Sequence, residues 1–399
     1  MNYTFYYLCL RNDKYSTTSR IRTMFDKHLY DIAQHFAFDA PVREITALGE
    51  GYINDTYIVI TERSRYILQR KNHNIFPDVP AMMDNIARVT AHLKAKVAVA
   101  GGDPEREVLT VVRTREGALY HSEGGNYWAA SLYIEGSVTH DVADTPRLAY
   151  MGGRGIGRFQ AMLADFNEPL KEVIKGFHNI RWRFEQWDRS LAANRAGRKE
   201  TVTEEIEWIE SRRAQMLTFW EMVERGILPT RITHNDTKLS NILFDQNDEV
   251  LCVIDLDTVM SSTSLNDFGD AIRSYTNTGA EDDNDLSRVA MNIETFRHYT
   301  AGYLAECGST MTRNEREWLA FSALYITYEQ VLRFLMDYID GDTYYKTAYP
   351  THNLVRARAQ YKLLQSMEEQ YDTMQAIVKE LLSSSGEIYL PLNHFTADA

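Results

Sequence analysis

Cysteine is scarce in this chain: Cys9, Cys252 and Cys307 are the only three in 399 residues, far apart and odd in number. That excludes a disulfide framework and fits a reducing compartment, so a cytoplasmic location is expected. Long apolar runs are also missing, and no stretch approaches the roughly 20 residues that a membrane-spanning helix requires. Positive charge is in deficit, with a formal net charge of −13. Unspecific binding to nucleic acid or to a membrane surface is therefore not expected, whereas a local cationic pocket remains compatible. No internal repeat or low-complexity tract occurs. The opening segment MNYTFYYLCLRNDKYSTTSRIRTMF has a short apolar patch, but its charges follow the patch instead of preceding it, which is not the order of a signal peptide. Residues 1–23 are expected to be a tail or an upstream-start extension, because Met24 opens the first helical pattern.

What is present is ordinary globular material, 44% hydrophobic and 25% charged, in a chain long enough for two lobes. Residues 24–37 carry helical spacing through Leu29, Ile32, Ala33 and Phe36. From Val42 the pattern turns to β, with ITALGEGYINDTYIVIT and RYILQRK separated by the turn-like TERS. A helix follows over PAMMDNIARVTAHLKAK, with Pro80 near its start. Further strands are expected at EVLTVVRT, ALYH and NYWAASLYI, the last after the turn SEGG. This β-rich lobe with one helix spans 24–136. Beyond Thr145, a candidate N-cap before Pro146, the chain is mostly helical. The second lobe runs over 137–385, with a terminal tail at 386–399.

One stretch interrupts that helical half. ITHNDTKLSNILFD, Ile232 to Asp245, is followed after eight residues by IDLDT, and both read as short strands flanking a polar loop. An Asp on such a loop can take the proton of a hydroxyl as its oxygen attacks phosphorus. An Asn oxygen and a carboxylate together suit Mg²⁺, a hard cation that keeps waters and phosphate oxygens as its other ligands. A nearby Lys offsets charge on the transferring group. H-x-D-x-K-x-x-N followed by a strand-end Asp is thus a set of parts for phosphoryl transfer. Asp236 is the candidate base, Lys238 the charge stabiliser, and Asn241 and Asp255 the Mg²⁺ ligands. His234 is expected to hold the loop by hydrogen bonds, with Asp257 as a supporting acid.

These residues carry a resemblance. The loop spacing resembles the protein-kinase-like phosphotransferases of small molecules, the aminoglycoside, choline and homoserine kinases. Within them GEGYINDTYIV, RYILQ, IFPD, THNDTKLSNIL, IDLDT, DFGDAIR, RFLMDYIDGDTYY and YPTHNLVRAR are similar to the bacterial N-acetylhexosamine 1-kinases. The likeness runs from about residue 24 to the helix near Leu381. It implies an α+β bilobal kinase-like fold and ATP as phosphoryl donor. The implied acceptor is the anomeric hydroxyl of N-acetylglucosamine or N-acetylgalactosamine.

Other residues take their expected roles from that frame. Gly49, Gly51 and Asn54 form a G-x-G-x-x-N loop between strands, with Asn54 standing for a third glycine because Asn tolerates positive φ. Gln69 occupies the place of the phosphate-binding lysine of kinases. The resembled sugar kinases also carry Gln there, and Arg70 and Lys71 follow, so which cation faces the phosphates, or whether magnesium suffices, stays open. Ile134, in LYIEG at the lobe boundary, is the candidate backbone contact to adenine. By resemblance Arg333 and Tyr344 face the acceptor, against the alternative that Arg333 is ion-paired with Asp337 or Asp342. Tyr52 stands where the resembled enzymes have a His facing the sugar, and MSSTSLN replaces a Pro-Gly-containing segment. Both departures bear on which sugar is used.

Three motifs read as structural. Asp267 of DFGD is expected to cap a helix or brace the catalytic loop, the glycines of MGGRGIG to allow close helix packing, and FHNIRWRFEQW to be mostly core. The alternatives for function are the same chemistry on another sugar, an amino alcohol or an aminoglycoside, or a non-catalytic sensor. A metal-dependent phosphate hydrolase is disfavoured because no second cluster of His/Asp ligands is visible in the sequence.

Overall fold

A computed structural model describes residues 27–48 and 53–384. The expected tails at 1–23 and 386–399, and the loop residues Gly49, Gly51 and Tyr52, lie outside the described residues. The β-branched, alternating segments pair as their pattern dictates. α1 (Lys27–Ala33) precedes an antiparallel sheet made of β1 (Glu44–Ala47), β2 (Asp55–Ile60), β3 (Arg65–Lys71), β4 (Val111–Val112), β5 (His121–Glu123) and β6 (Asn126–Leu132). The order is β1-β2-β3-β6-β4, with β5 also paired to β6. Between β3 and β4 lie α2 (Val79–Val99), whose N-cap Asp78 accepts from the Ala81 N–H, and the short α3 (Pro104–Glu107).

The first helix is shorter than its spacing suggested, because Phe36 leaves it to bridge Thr114. Of EVLTVVRT only two residues form a strand, at the sheet edge where long strands are avoided. The segment expected as ALYH begins pairing only at His121 and turns through Gly124 and Gly125, both at positive φ.

The second lobe follows Thr145, which caps α4 (Pro146–Met162) by accepting from the Leu148 N–H. Its remaining elements are α5 (Ile180–Ala193), α6 (Thr203–Glu224), β7 (Arg231–Thr233), β8 (Ile242–Phe244), β9 (Val250–Val253), β10 (Met260–Ser262), α7 (Ser264–Tyr275), α8 (Ile293–Cys307), α9 (Arg313–Asp340), α10 (His352–Glu369) and α11 (Tyr371–Ser384). α9 is the central post, with Tyr325, Tyr328 and Phe334 fully buried along it. The glycines of MGGRGIG sit in α4 against α8. A Cβ on Gly153 would lie 2.1 Å from the Tyr299 carbonyl, and one on Gly302 would lie 2.0 Å from that of Tyr150. Backbone contact between helices explains this motif, not phosphate binding. Two two-stranded ladders, β7 with β10 and β8 with β9, are set among the helices. The molecule is the expected α+β fold, a small β-rich N-lobe and a larger helical C-lobe. Among the described residues no helix is long and apolar enough to cross a membrane.

Candidate active site

β7 ends at Thr233 and β8 starts at Ile242, so residues 234–241 must reverse direction in a short polar loop. Asn235 makes this possible by adopting φ 63°, a left-handed conformation that Asn accepts more readily than most residues. The loop is then pinned from below by α7. Asp267 accepts from the His234 N–H (2.9 Å), the Asn235 N–H (2.7 Å) and Gln160 Nε2 (2.6 Å). One turn on, Asp270 accepts from the Thr237 N–H at 2.8 Å. Thr263, not Asp267, caps α7, so the brace role is the one realised. His234 Nδ1 accepts from the Asp236 N–H and Nε2 donates to the Ile254 carbonyl at 2.8 Å, which fixes its tautomer and ties the two halves of the motif together.

On this frame the expected base and charge stabiliser, Asp236 and Lys238, converge with the two expected Mg²⁺ ligands, Asn241 and Asp255. Lys238 Nζ lies 2.9 Å from Asp236 Oδ1. Burial disfavours the Lys238 charge, but Asp236, Asp270 and Asp255 outweigh it and raise its pKa above the ordinary value. Asn241 donates its amide nitrogen to the Asp236 carbonyl (2.8 Å), leaving Oδ1 as the atom able to meet a cation. Its own carbonyl accepts from the Ile254 N–H at 2.9 Å, which sets it beside Asp255. Asp255 is held at φ 60°, and among the described residues no donor reaches its carboxylate. Burial, then the charges of Asp257 and Asp236, lift its pKa to about 6. A crowded, undonated carboxylate next to an amide oxygen is a donor set that fits a hard divalent cation.

The N-lobe closes over these acids through Asp257. Lys71 Nζ, at the end of β3, contacts both Asp257 oxygens (2.7 and 3.0 Å), and Asn54 Nδ2 donates to Oδ2 at 2.7 Å. Asn54 Oδ1 accepts from the Asn72 N–H. The positive φ expected for Asn54 is not found; its side chain is buried as a brace between lobes. Gln69 lies on the same strand face as Lys71 and accepts from its Nζ at 2.7 Å, while its own Nε2 donates to Thr56. Gln69, Lys71, Asp255 and Asp257 line one cavity, together with Met83 and Ile86 of α2 and Ala129 to Ser131 of β6. At the boundary Ile134 is buried, with its carbonyl accepting from Ser137 Oγ at 2.7 Å.

A second wall adjoins the loop from the C-lobe. His178 Nε2 faces the Asn235 carbonyl at 3.4 Å, and its Nδ1 meets Glu329 at 2.6 Å. Arg183 pairs with the other Glu329 oxygen at 3.0 Å. Burial alone would lift the Glu329 carboxyl, but His178, Arg183 and Arg333 hold it well below the usual carboxylate range. One turn along α9, Arg333 is framed by the rings of Phe177, Tyr344 and Tyr345 at 5.7, 5.9 and 5.6 Å. The alternative, a pairing of Arg333 with Asp337 or Asp342, does not occur. Asp337 accepts from the N–H groups of Thr343, Tyr344 and Tyr345, shaping the turn that presents Tyr344. Asp342 is bound by Arg198 and Asn353. Arg333 reaches Gln330 at 3.3 Å, and among the described residues no carboxylate pairs with it.

The N-lobe also gathers His35, His121 and Glu123, a grouping that no sequence pattern disclosed. The two imidazoles are stacked, 3.7 Å apart and 12° from parallel. Their lone pairs lie in two separate parallel planes, and one ion cannot sit in both. The geometry is that of a ring stack with an acid at its edge, not of a metal centre.

Sequence reasoning missed the pairing of His178 and Arg183 with Glu329, which is 151 and 146 positions away and leaves no local signal. Lys71 and Asp270 were within reach, since strand alternation puts Lys71 on the face of Gln69 and helical spacing puts Asp270 beside Asp267.

The fold is shared with solved structures. A spectinomycin phosphotransferase, solved with ADP and spectinomycin, matches with a TM-score of 0.51 at 13% identity over 90% of this chain and 98% of that one. A microcompartment-associated aminopropanol kinase matches with a TM-score of 0.56 at 15% identity over 88% and 98%. An aminoglycoside phosphotransferase from Alicyclobacillus acidocaldarius gives 0.50 at 15% over 89% and 96%. Residues 44–299, which contain the sheet, the loop 234–241 and Asp255, match the phosphotransferase enzyme family, and the chain belongs to that family.

Proposed function

We propose that this chain is an ATP- and Mg²⁺-dependent kinase that phosphorylates the anomeric hydroxyl of an N-acetylhexosamine, N-acetylglucosamine or N-acetylgalactosamine. The observation that carries the acceptor class is the state of the charges in the C-lobe wall. Among the described residues no carboxylate makes a direct ion pair with Arg333; the nearby Glu329, which feels its charge, is already bound by His178 and Arg183, and Asp337 and Asp342 are engaged as well. In this wall a protonated amine would meet a permanent positive charge and only acids that are already engaged, and like charges brought together in a buried site cost several kcal/mol. An uncharged acetamido sugar instead offers hydroxyl and carbonyl oxygens to the guanidinium and an apolar ring face to Phe177 and Tyr344. Tyr52 faces the same sugar in this reading, with Gly49, Gly51, Gln69 and Ile134 on the nucleotide side.

In the reaction, Asp236 accepts the hydroxyl proton as that oxygen attacks the γ-phosphorus and the bond to the ADP oxygen breaks. Lys238 steadies the charge beside Asp236. Asn241 and Asp255 would hold Mg²⁺, which when bound offsets charge on the phosphates. His234, Asp267 and Asp270 keep Asp236 in place. The test is an ATP-consumption panel over acetamido sugars, parent hexoses, amino alcohols and an aminoglycoside, with the phosphate position read by NMR. Turnover confined to the acetamido sugars, with phosphate on C1, is expected. Preferred turnover of choline, an amino alcohol or the aminoglycoside would overturn the acceptor assignment.

A further inference from the structure

Gln69 leaves the N-lobe without a charge at the strand position where kinases hold their phosphate-binding lysine, yet a cation does reach the cavity. Lys71, two residues on and on the same face, is among the most deeply buried lysines, at 4% exposure. Its ammonium bridges Gln69 Oε1 and both oxygens of Asp257, on the edge of the cavity that Asp255 also lines. In protein kinases the acid that orients such a lysine comes from the helix after the strand. Here that helix is α2. Its single acid, Asp84, faces Lys171 at 3.5 Å, and its buried side is Met82, Met83, Asn85, Ile86 and Val89. The orienting acid has no candidate there.

Asp257 supplies the want. The two acids of IDLDT are in opposite states: Asp255 receives no donor among the described residues, while Asp257 receives Lys71 and Asn54, both from the N-lobe. A carboxylate already holding an ammonium and an amide is poorly placed to take a metal as well, whereas one with neither is free to do so. We infer that Lys71 is the cation through which the N-lobe binds nucleotide phosphate, and that Asp257 is the positioning residue that aims it across the cavity. This rests on the kinase reading above and assigns, within it, the role left open at position 69. Because the pair spans the two lobes, the same contact sets how the sheet sits over Asp255.

Calorimetric titration of the full chain with ADP and with adenosine, in EDTA so that no metal contributes, tests this directly. The wild type should bind ADP more tightly than adenosine. Lys71→Met should weaken ADP by at least about tenfold, the scale of a lost charge-assisted hydrogen bond, and leave adenosine unchanged, so that the ratio collapses. Asp257→Asn should lower the ratio in the same direction by a smaller factor, and Lys71→Arg should retain most of it. If Lys71→Met does not fold, the double variant Lys71→Met/Asp257→Asn removes both charges together and leaves no unpaired ion buried. A variant that keeps the wild-type ratio, or weakens both ligands equally, would overturn the inference and make the pair purely structural. A wild type that binds ADP no better than adenosine would sink the kinase reading itself and the inference with it.

Discussion

In the loop between β7 and β8 the backbone N–H groups of His234, Asn235, Asp236 and Thr237 all find a side-chain acceptor, three of them in a carboxylate of α7. In the wall around Phe177, Arg333 and Tyr344 the balance is reversed: a guanidinium lies among three aromatic rings with a 3.3 Å contact to Gln330, and Tyr344 is 59% exposed. In the proposed reaction the loop performs a step that demands one geometry, and its positions are fixed several times over. In the same proposal the wall meets the acceptor, and it keeps donors and ring faces for it. Saturated polar groups mark where the chemistry is held, and underused ones mark where a substrate enters.

Breaking the loop should have the largest effect. Asp236→Asn should fold and bind nucleotide normally, yet lose about a hundredfold or more in kcat, the usual scale for a missing general base. Steady-state kinetics on purified protein would check it.

Next is the junction between loop and wall. Glu329→Gln leaves Arg183 and His178 without their buried acid and should destabilise the fold by about 3–5 kcal/mol at neutral pH, measured by urea unfolding. The pH dependence has a definite sign. The folded-state pKa of Glu329 is depressed, so its contribution is present above the unfolded value of about 4.3 and is lost as pH falls from there toward the lower folded value. The gap between wild type and variant should therefore shrink on acidification below about pH 4.

Asp267→Ala removes three donors' acceptor at once and should cost about 2–4 kcal/mol of stability and lower kcat, while the acceptor KM stays near its wild-type value. The contrast with the wall is sharpened by Arg333→Ala, for which the acceptor kcat/KM should fall roughly tenfold to two-hundredfold with little change in ATP KM. Equal losses for ATP and acceptor would place Arg333 in the fold's framework and dissolve the comparison.

How much of this was legible beforehand follows the same division. That Asp236, Lys238, Asn241 and Asp255 come together was readable because they lie within 20 residues and their order encodes the strand-loop-strand geometry. Thr145 and the glycines of α4 were readable because caps and helix spacing are local. The wall was not, since His178 and Glu329 are 151 positions apart and meet only through tertiary packing. The choice between Arg70 and Lys71 was left open because the family pattern drew attention to position 69, although simple strand alternation already put the next inward-facing side chain at 71. Asn54 was given a backbone role because loop glycines suggested one, and its partner Asp257 is 203 residues away.

The central claim is that a wall cation with no direct carboxylate partner among the described residues selects an uncharged acetamido sugar over an amine. Its most direct test is the ratio of kcat/KM for N-acetylglucosamine to that for glucosamine, at a pH where the free amine is protonated. The account predicts a ratio well above about tenfold, falling toward unity in Arg333→Ala as the like charge is removed. Equal or better turnover of glucosamine by the wild type would contradict it.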